Sequence, residues 1–503
     1  MKNRVLIKVL SVCLCVPLSF CVFSCKKDDG KVLTTFSDTD KKAPDITVVS
    51  FDNEVTVGIE EEKIKDYYAP KFVFDYLGED VMPIGAWNTP PEDFYSNDYF
   101  KDYKDAGLNF MLDALGMNAQ SPSVSTAIQL AEQNGIVYLT GDSHRDSFVD
   151  DTAMKKKTLS RVLPYQNFGG IVLQDEPGFD KFPLLAKAAK AYYDIDKNLL
   201  SFVNLLAISN EADSNGPVNH YKNGMNGAAE RDEDTHYDYR TDYADKFVEA
   251  FEAQGIKPNV IIYDFYPCIG AFPSVAGGFF NTLSEIADIS VKKEIPFWPY
   301  IQVCSWKNGY SRICTQEEID WQVNCSLVYG AKGFTYFMYW TKEDRGTEQY
   351  SGCMVSLTGE KQETYYSVRN TNNNLQKIGK YFLNSNFKGI VRVGNAPSGI
   401  AIPERELILS DGIRPAASIY PAENKGDYIG SYGVPHLIGC FDYKGSNAYY
   451  AVCNSISAGG HLAMRFDVGK KYTVIYRGNE YESDGLITVG LKAGEGVLIV
   501  EKD

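Results

Sequence analysis

The chain is short of histidine and of basic residues, and it lacks the short motifs that mark phosphate, nucleotide and metal sites. Among 503 residues there are five His, and 50 Lys and Arg stand against 66 Asp and Glu, for a formal charge of −16. A surface that acidic repels phosphate backbones and anionic headgroups, so nucleic acid is not an expected partner. No GxGxxG or P-loop sequence follows any apolar run, which removes the usual nucleotide cradles. There is no CxxC pair, and no second His stands at ligand spacing from His144, so neither a metal nor a cofactor is expected. Ser201, Ser305 and Ser326 lack the GxSxG context of a serine hydrolase. No repeat of 20–50 residues is visible, which argues against solenoids and propellers.

What is present begins with an address. Lys2, Arg4 and Lys8 precede an apolar stretch from Val9 to Phe23, shorter than the ~20 residues that cross a bilayer comfortably. The layout predicts a signal peptide over 1–24. Val22-Phe23-Ser24-Cys25 resembles a bacterial lipobox, which implies lipidation at Cys25 and a membrane association through that anchor alone. Lys26-Lys27-Asp28-Asp29 resembles the charged tag of Bacteroidetes surface lipoproteins, implying an outer-membrane, cell-surface address, with the periplasmic face as the alternative. Residues 25–44 read as a solvated tether. Loss of 1–24 leaves 47 basic residues against 66 acidic ones, a charge of −19. Seven Cys would stay unmodified: Cys268, Cys304, Cys314, Cys325, Cys353, Cys440 and Cys453. Their odd number and irregular spacing suggest buried small hydrophobes, not a disulfide framework.

From residue 80 onward, β-rich runs alternate with helical patterns, as in βα units around a parallel sheet. Eight strands are expected: Val81–Trp87, Leu108–Leu115, Ile136–Gly141, Gly170–Asp175, Leu200–Leu206, Val260–Tyr266, Phe297–Cys304 and Phe334–Trp340. Helices are expected at Ser125–Asn134, Pro183–Tyr193, Asp242–Gln254, Glu317–Tyr329 and Gln362–Leu383. Gly107, Gly135, Gly255 and Gly330 each fall between a helix and the next strand, where a left-handed cap is needed. The expected fold is α/β, a (β/α)8 TIM barrel over 80–385, preferred to an open doubly wound sheet. Short alternating runs over 386–503 suggest a C-terminal antiparallel β-sandwich, and 45–79 carries a β segment leading into the barrel.

In such a barrel the chemistry belongs at the C-terminal ends of the strands. Strand four ends in Gln174-Asp175-Glu176-Pro177. Alternation places Gln174 and Glu176 at the mouth and turns Asp175 away unless the strand bulges. Strand six supplies Asp264 with Tyr266 on the same face. Strand seven ends without an acid, in Gln302, Cys304 and Trp306, and Glu343 follows strand eight. Trp87, Tyr266, Trp306 and Trp340 end four different strands, and flat aromatics suit the CH faces of pyranose rings. Asp142 and His144 follow strand three and are candidates for binding sugar hydroxyls.

The strand-four Asp175-Glu176-Pro177, the strand-six acid, the Trp-rich seventh strand and Asp320-Trp321-Gln322-Val323-Asn324 running on to Tyr339-Trp340 together resemble the clan A barrel glycoside hydrolases. The resemblance covers roughly residues 80–385. It implies a hydrolase acting on a glycan, with Glu176 as general acid/base and Asp175 standing where the clan has Asn. The clan's strand-seven nucleophile is missing here, so Asp264 is the candidate partner of Glu176. Two alternatives remain open. One is a substrate-assisted N-acetylhexosaminidase, which Asp175-Glu176 also resemble, with Tyr263 or Tyr266 helping. The other is a glycan-binding surface lipoprotein on a barrel without catalysis.

Overall fold

A computed structural model describes residues 76–142, 149–206, 242–306, 311–344, 349–393, 430–432, 434–466 and 470–502. The expected signal peptide, tether and lead-in β segment, with Cys25 and His144, lie outside the described residues. Strands β1 (Ile84–Trp87), β2 (Phe110–Asn118), β3 (Val137–Gly141), β4 (Phe168–Asp175), β5 (Leu200–Leu205), β6 (Ile261–Tyr263), β7 (Phe297–Gln302) and β8 (Phe334–Phe337) form a closed barrel. Every neighbouring pair is parallel, and β8 returns to β1 with Ile84 opposite Phe334. All eight expected strands are there.

Helices α1 (Asn97–Asp105), α2 (Val124–Gln133), α3 (Thr152–Thr158), α4 (Phe182–Ile195), α5 (Asp242–Glu252), α6 (Phe279–Lys293), α7 (Gln316–Val328) and α8 (Glu363–Leu383) accompany them. Gly107, Gly135, Gly255 and Gly330 have φ of +79°, +62°, +71° and +92°, the left-handed caps that end a helix without a Cβ clash. A capping box between Thr315 and Glu318 opens α7.

Strands β5–β8 are shorter at their C-terminal ends than the sequence suggests, whereas β1, β3 and β4 end as expected and β2 runs on to Asn118. Strand β6 stops at Tyr263 instead of Tyr266, level with Pro299 of β7, which has no N–H for the ladder. Beyond that point the Gln322 side chain takes over from β6. Its Oε1 accepts from Gln302 N (2.9 Å) and its Nε2 donates to Gln302 O (3.1 Å). Residues 264–266 thereby leave the ladder with β7 to shape the mouth, while Asp264 N still donates to Leu205 O of β5 (3.2 Å).

The barrel interior is more aromatic than the usual Val, Ile and Leu filling. Phe110 lies against Trp298 at 5.4 Å, and they are accommodated because Gly85 and Gly333 stand opposite. A Cβ on Gly85 would come within 2.2 Å of the Phe110 ring, and one on Gly333 within 2.6 Å of the Trp298 ring. Much of the chain's aromatic content is therefore core.

After α8 come β9 (Ser385–Val393), β10 (Gly430–Tyr432), β11 (His436–Tyr443), β12 (Ser446–Cys453), β13 (Gly460–Arg465), β14 (Lys471–Tyr476), β15 (Asn479–Ser483), β16 (Leu486–Leu491) and β17 (Gly496–Lys502). They make an antiparallel six-stranded sheet, ordered β15-β14-β17-β12-β11-β9, and a three-stranded one, β10-β13-β16. Ile438 and Val497 from the first sheet share an apolar cluster with Leu462 and Ile487 from the second. The module docks on α7, where Trp321 Nε1 donates to Asn454 Oδ1 (2.9 Å) and Tyr450 Oη to Asn324 Oδ1 (2.8 Å).

Candidate active site

The last turn of β4 decides which acids face the mouth. Between Val172 and Gln174 the register with β5 slips by one, so that Val172 pairs with Phe202, Gln174 with Val203 and Asp175 with Asn204. One extra residue in a strand exchanges its two faces from there on. Phe202 points inward, its ring edge-on to Tyr300 of β7 at 6.4 Å. Asn204, two residues on, shares that face, and so does its partner Asp175. The bulge therefore corrects the simple alternation: Asp175 turns into the barrel and Gln174 leaves it. Gln174 is half-buried and its Nε2 donates to the Asp175 carbonyl (3.1 Å).

Glu176 reaches the same place by another route. Its N–H donates to Asn204 O (2.8 Å), and its φ of +43° puts a non-glycine residue in the left-handed region, which swings the side chain back over the mouth. There its carboxyl is hydrogen-bonded to that of Asp264. Both adjacent acids thus converge on the strand-six acid.

Asn204 is the hub. Its Nδ2 donates to Asp175 Oδ1 (2.9 Å) and to Asp264 Oδ2 (3.3 Å). Those two oxygens are therefore no more than about 6 Å apart, short of the ~6.5–9.5 Å typical of inverting glycosidases and compatible with the ~5–5.5 Å of retaining ones. Asp264 is buried, and the Tyr266 hydroxyl also bonds it. Desolvation pushes its carboxyl up to about 6, against the pull of the hydrogen bond from Glu176; the nearby Asp175 charge adds to the rise. Asp175 as a residue is solvent-exposed, yet its carboxyl sits deep in the concavity. Burial raises it, and the Asn204 amide and the Lys342 ammonium draw it back.

Two buried polar atoms beside these acids have no hydrogen-bond partner among the described residues, Asn204 Oδ1 and the Tyr300 hydroxyl. Desolvation, with Asp175 and Asp264 close by, holds the Tyr300 hydroxyl well above its usual range, so it remains a donor at neutral pH. Buried groups of this kind are rare and call for a ligand or water. Trp87 borders the site, edge-on to Tyr300 at 6.1 Å. A half-buried aromatic wall continues from there. Tyr266 lies 4.8 Å from Trp306 and 5.0 Å from Phe337, and Phe337 lies 6.2 Å from Tyr350.

Other expected site residues are placed differently. Trp340 is buried between Phe94 (4.7 Å) and Tyr99 (5.4 Å), its backbone bonded to Asn88, so it is core and not a sugar platform. Gln302 is fully buried. Its Oε1 accepts from Cys268 N (2.8 Å), and its Nε2 donates to Cys268 O (3.0 Å) and Arg312 O (3.1 Å), a clamp between two loops. Asp142 is taken up inside the wall by Lys155 Nζ (2.7 Å) and the Tyr192 hydroxyl. Glu343 is exposed, and the residue of its loop whose charge reaches Asp175 is Lys342.

Asn204, Tyr300 and Lys342 are the site residues that the sequence reading did not pick. Asn204 carried a signal, a lone amide inside the apolar run Phe202-Val203-Asn204-Leu205-Leu206. Tyr300 did not stand out in an aromatic-rich strand.

No protein-family model and no curated protein matches the chain. Among solved structures, it is similar to a glucosidase from Croceicoccus marinus, with 11% identity over 84% of this chain and 95% of that one, at a TM-score of 0.40. A GH27 β-L-arabinopyranosidase from Geobacillus stearothermophilus shows 9% identity over 86% and 98%, at 0.45. Xylanase B from Clostridium stercorarium shows 10% over 60% and 99%, at 0.34. The fold assignment rests on the closed strand register and not on these likenesses.

Proposed function

We propose that the chain is a glycoside hydrolase whose reacting groups are the carboxyls of Asp264, Asp175 and Glu176. The observation that carries this reading is the convergence of Asp175 and Asp264 on one amide, Asn204, with the Glu176 carboxyl bonded to Asp264, next to the unpartnered Tyr300 hydroxyl and a wall of half-exposed rings. Acid/base cleavage of a glycosidic bond needs a protonated carboxyl near neutrality and a second carboxylate across the bond. Asp264, raised to about 6, suits the proton donor. Glu176, hydrogen-bonded to it, shares and relays that proton, so the acid/base role falls on the pair. Asp175, more open and near Lys342, suits the carboxylate that attacks or stabilises the developing positive charge. The short Asp175–Asp264 separation favours retention.

Asp264→Asn should reduce turnover by at least about a hundredfold while sugar binding persists. The anomer first released, read by NMR on a glycan that the wild type cleaves, tests retention. A chain that binds several glycans and cuts none in a broad screen would instead be the non-catalytic lipoprotein, the reading favoured by the absence of an acid at the end of β7.

The bulge also supports a second reading. With Asp175 and Glu176 both at the mouth, the substrate-assisted N-acetylhexosaminidase arrangement becomes geometrically open. Cleavage of 2-acetamido sugars but not of their 2-hydroxy analogues would select it. For location we propose export and lipidation at Cys25, with the two antiparallel sheets acting as a sandwich-type accessory module. Cys25→Ala should shift the protein from the membrane to the soluble fraction.

A further inference from the structure

The structure brings together cysteines that lie 46 and 49 positions apart in the chain. The sulfurs of Cys268 and Cys314, with a carboxylate oxygen of Glu318, lie within 4.8 Å of one another. The thiols of Cys304 and Cys353 share a hydrogen bond. All four residues are buried, on the segments that follow β6, β7 and β8 at the barrel mouth.

The backbones around each pair are already tied. Ile269 and Ser311 form an antiparallel bridge, and Arg312 N donates to Cys268 O (3.0 Å). Ser305 and Ser351 form another, with N–O distances of 2.9 and 3.1 Å and hydroxyls 2.7 Å apart. These bridges hold the loops together one to three positions from the cysteines without setting the cysteines face to face, so the pairing rests on the sulfurs themselves, within 4.8 Å in the first pair and in hydrogen-bond contact in the second.

We propose that Cys268–Cys314 and Cys304–Cys353 are disulfide-forming pairs, closed when the chain folds in an oxidising compartment, and that they staple the three loops carrying Tyr266, Trp306 and Tyr350. A metal is the competing occupant of the first pair, and the local chemistry opposes it. The Glu318 carboxylate is already bonded by Arg312 Nε (2.8 Å), Arg312 Nη2 (2.5 Å) and Thr315 N (2.9 Å). The Gln322 Nε2 amide, which donates to the Gln302 and Glu318 carbonyls (3.1 Å each), also lies 3.8 and 3.7 Å from the two sulfurs, and an amide N–H is no metal ligand.

The oxidant is a dialkyl or protein disulfide. One thiolate attacks it and expels a first thiol, then the partner thiolate attacks the mixed disulfide and expels a second. One protein S–S bond forms, the oxidant's S–S bond is reduced by two electrons, and the two cysteine protons end on the two leaving thiols. The Cys304 thiol, hydrogen-bonded to Cys353, holds Cys353 below its usual range despite burial, which marks it as the first attacker in its pair.

The test is refolding of the full chain from denaturant in a reduced/oxidised glutathione buffer, which is independent of export. Free thiols are trapped with N-ethylmaleimide and the tryptic peptides read by mass spectrometry. The expected result is peptide 294–307 joined to 346–361, and the peptide with Cys268 joined to 313–332, with fragmentation placing that bond at Cys314 and not Cys325. Reductant should then lower the Tm by several degrees in the wild type, and by less in a Cys304→Ser/Cys353→Ser variant. Alkylation of all four thiols, pairing in any other combination, or free thiols with one equivalent of zinc retained would each overturn the proposal.

Discussion

The floor of the barrel mouth and the collar behind β7 and β8 occupy the same end of the same barrel, yet they treat their polar groups in opposite ways. On the floor, Asp175, Glu176 and Asp264 crowd together, Glu176 sits in a left-handed backbone, and Asn204 Oδ1 and the Tyr300 hydroxyl lack partners among the described residues. In the collar, the Gln302 and Gln322 amides, the Arg312–Glu318 ion pair and the Asn88–Trp340 contacts are each bonded. Position at the C-terminal rim marks both regions alike. The Tyr339 hydroxyl of the collar is unpartnered too among the described residues, so what separates the floor is that its orphaned atoms stand beside converging carboxyls, where a substrate can complete them, whereas the collar's bonded groups hold their neighbours still.

The sharpest way to break this comparison is one substitution in each region. Asp264→Asn should lower kcat about 10²–10⁴-fold without unfolding the chain. Gln302→Leu should do the reverse, since it orphans the buried Cys268 N–H and costs on the order of 1–3 kcal/mol. Steady-state rates per folded molecule, with Tm from calorimetry, separate the two effects. A stable Gln302→Leu protein that has lost turnover would move Gln302 into the site.

Two tryptophans give the next contrast. Trp340→Ala should cost about 3–5 kcal/mol of stability, the usual range for emptying a fully packed aromatic site. Trp306 is half-buried against Tyr266 and Phe337, so Trp306→Ala should cost less stability and mainly raise KM. Urea denaturation and saturation kinetics measure these. Equal stability losses would mean that Trp306 is also core.

Tyr300→Phe has a smaller expected effect. The hydroxyl makes no bond among the described residues, so its removal should leave the Tm unchanged or slightly higher. If it donates to substrate, kcat/KM falls by roughly fivefold, the worth of one hydrogen bond of about 1 kcal/mol. An unchanged kcat/KM would take Tyr300 off the floor.

The barrel was legible in the sequence because closure depends on eight apolar runs and glycine-capped helices, which are local signals. The floor was only half legible. Asp264 and Glu176 stand out as acids at the ends of apolar strands. Asp175 was turned the wrong way by alternation, because a bulge depends on the register with β5, and a single strand carries no mark of it. Trp340 and Gln302 sit at rim positions, and only their neighbours, Phe94, Tyr99 and Cys268, reveal that they are packing and clamp. The thiol pairs were hidden for the same reason, since loops from different βα units meet only in the closed barrel.

The smallest effect is a pH dependence, and its sign is fixed by burial. The Asp264 carboxyl is raised to about 6, against ~3.9 in an unfolded chain, so the folded state binds its proton more tightly. The stability from this group is fully present below about pH 4 and is lost as the pH rises through 6. Asp264→Asn keeps the neutral shape, so it should leave the Tm unchanged at pH 4 and raise it by a few degrees at pH 8. Asp320 provides the control. It is half-buried on α7 and bonded to Thr371 Oγ1 (2.6 Å), and desolvation also raises its carboxyl to about 6, so Asp320→Asn should shift the Tm in the same direction. Activity parts the two. In the wild type and in Asp320→Asn, kcat/KM should fall above pH 6 as Asp264 loses its proton, whereas Asp264→Asn should show no such limb at any measurable rate. A limb that moved with Asp320 instead would place the proton donor outside the floor.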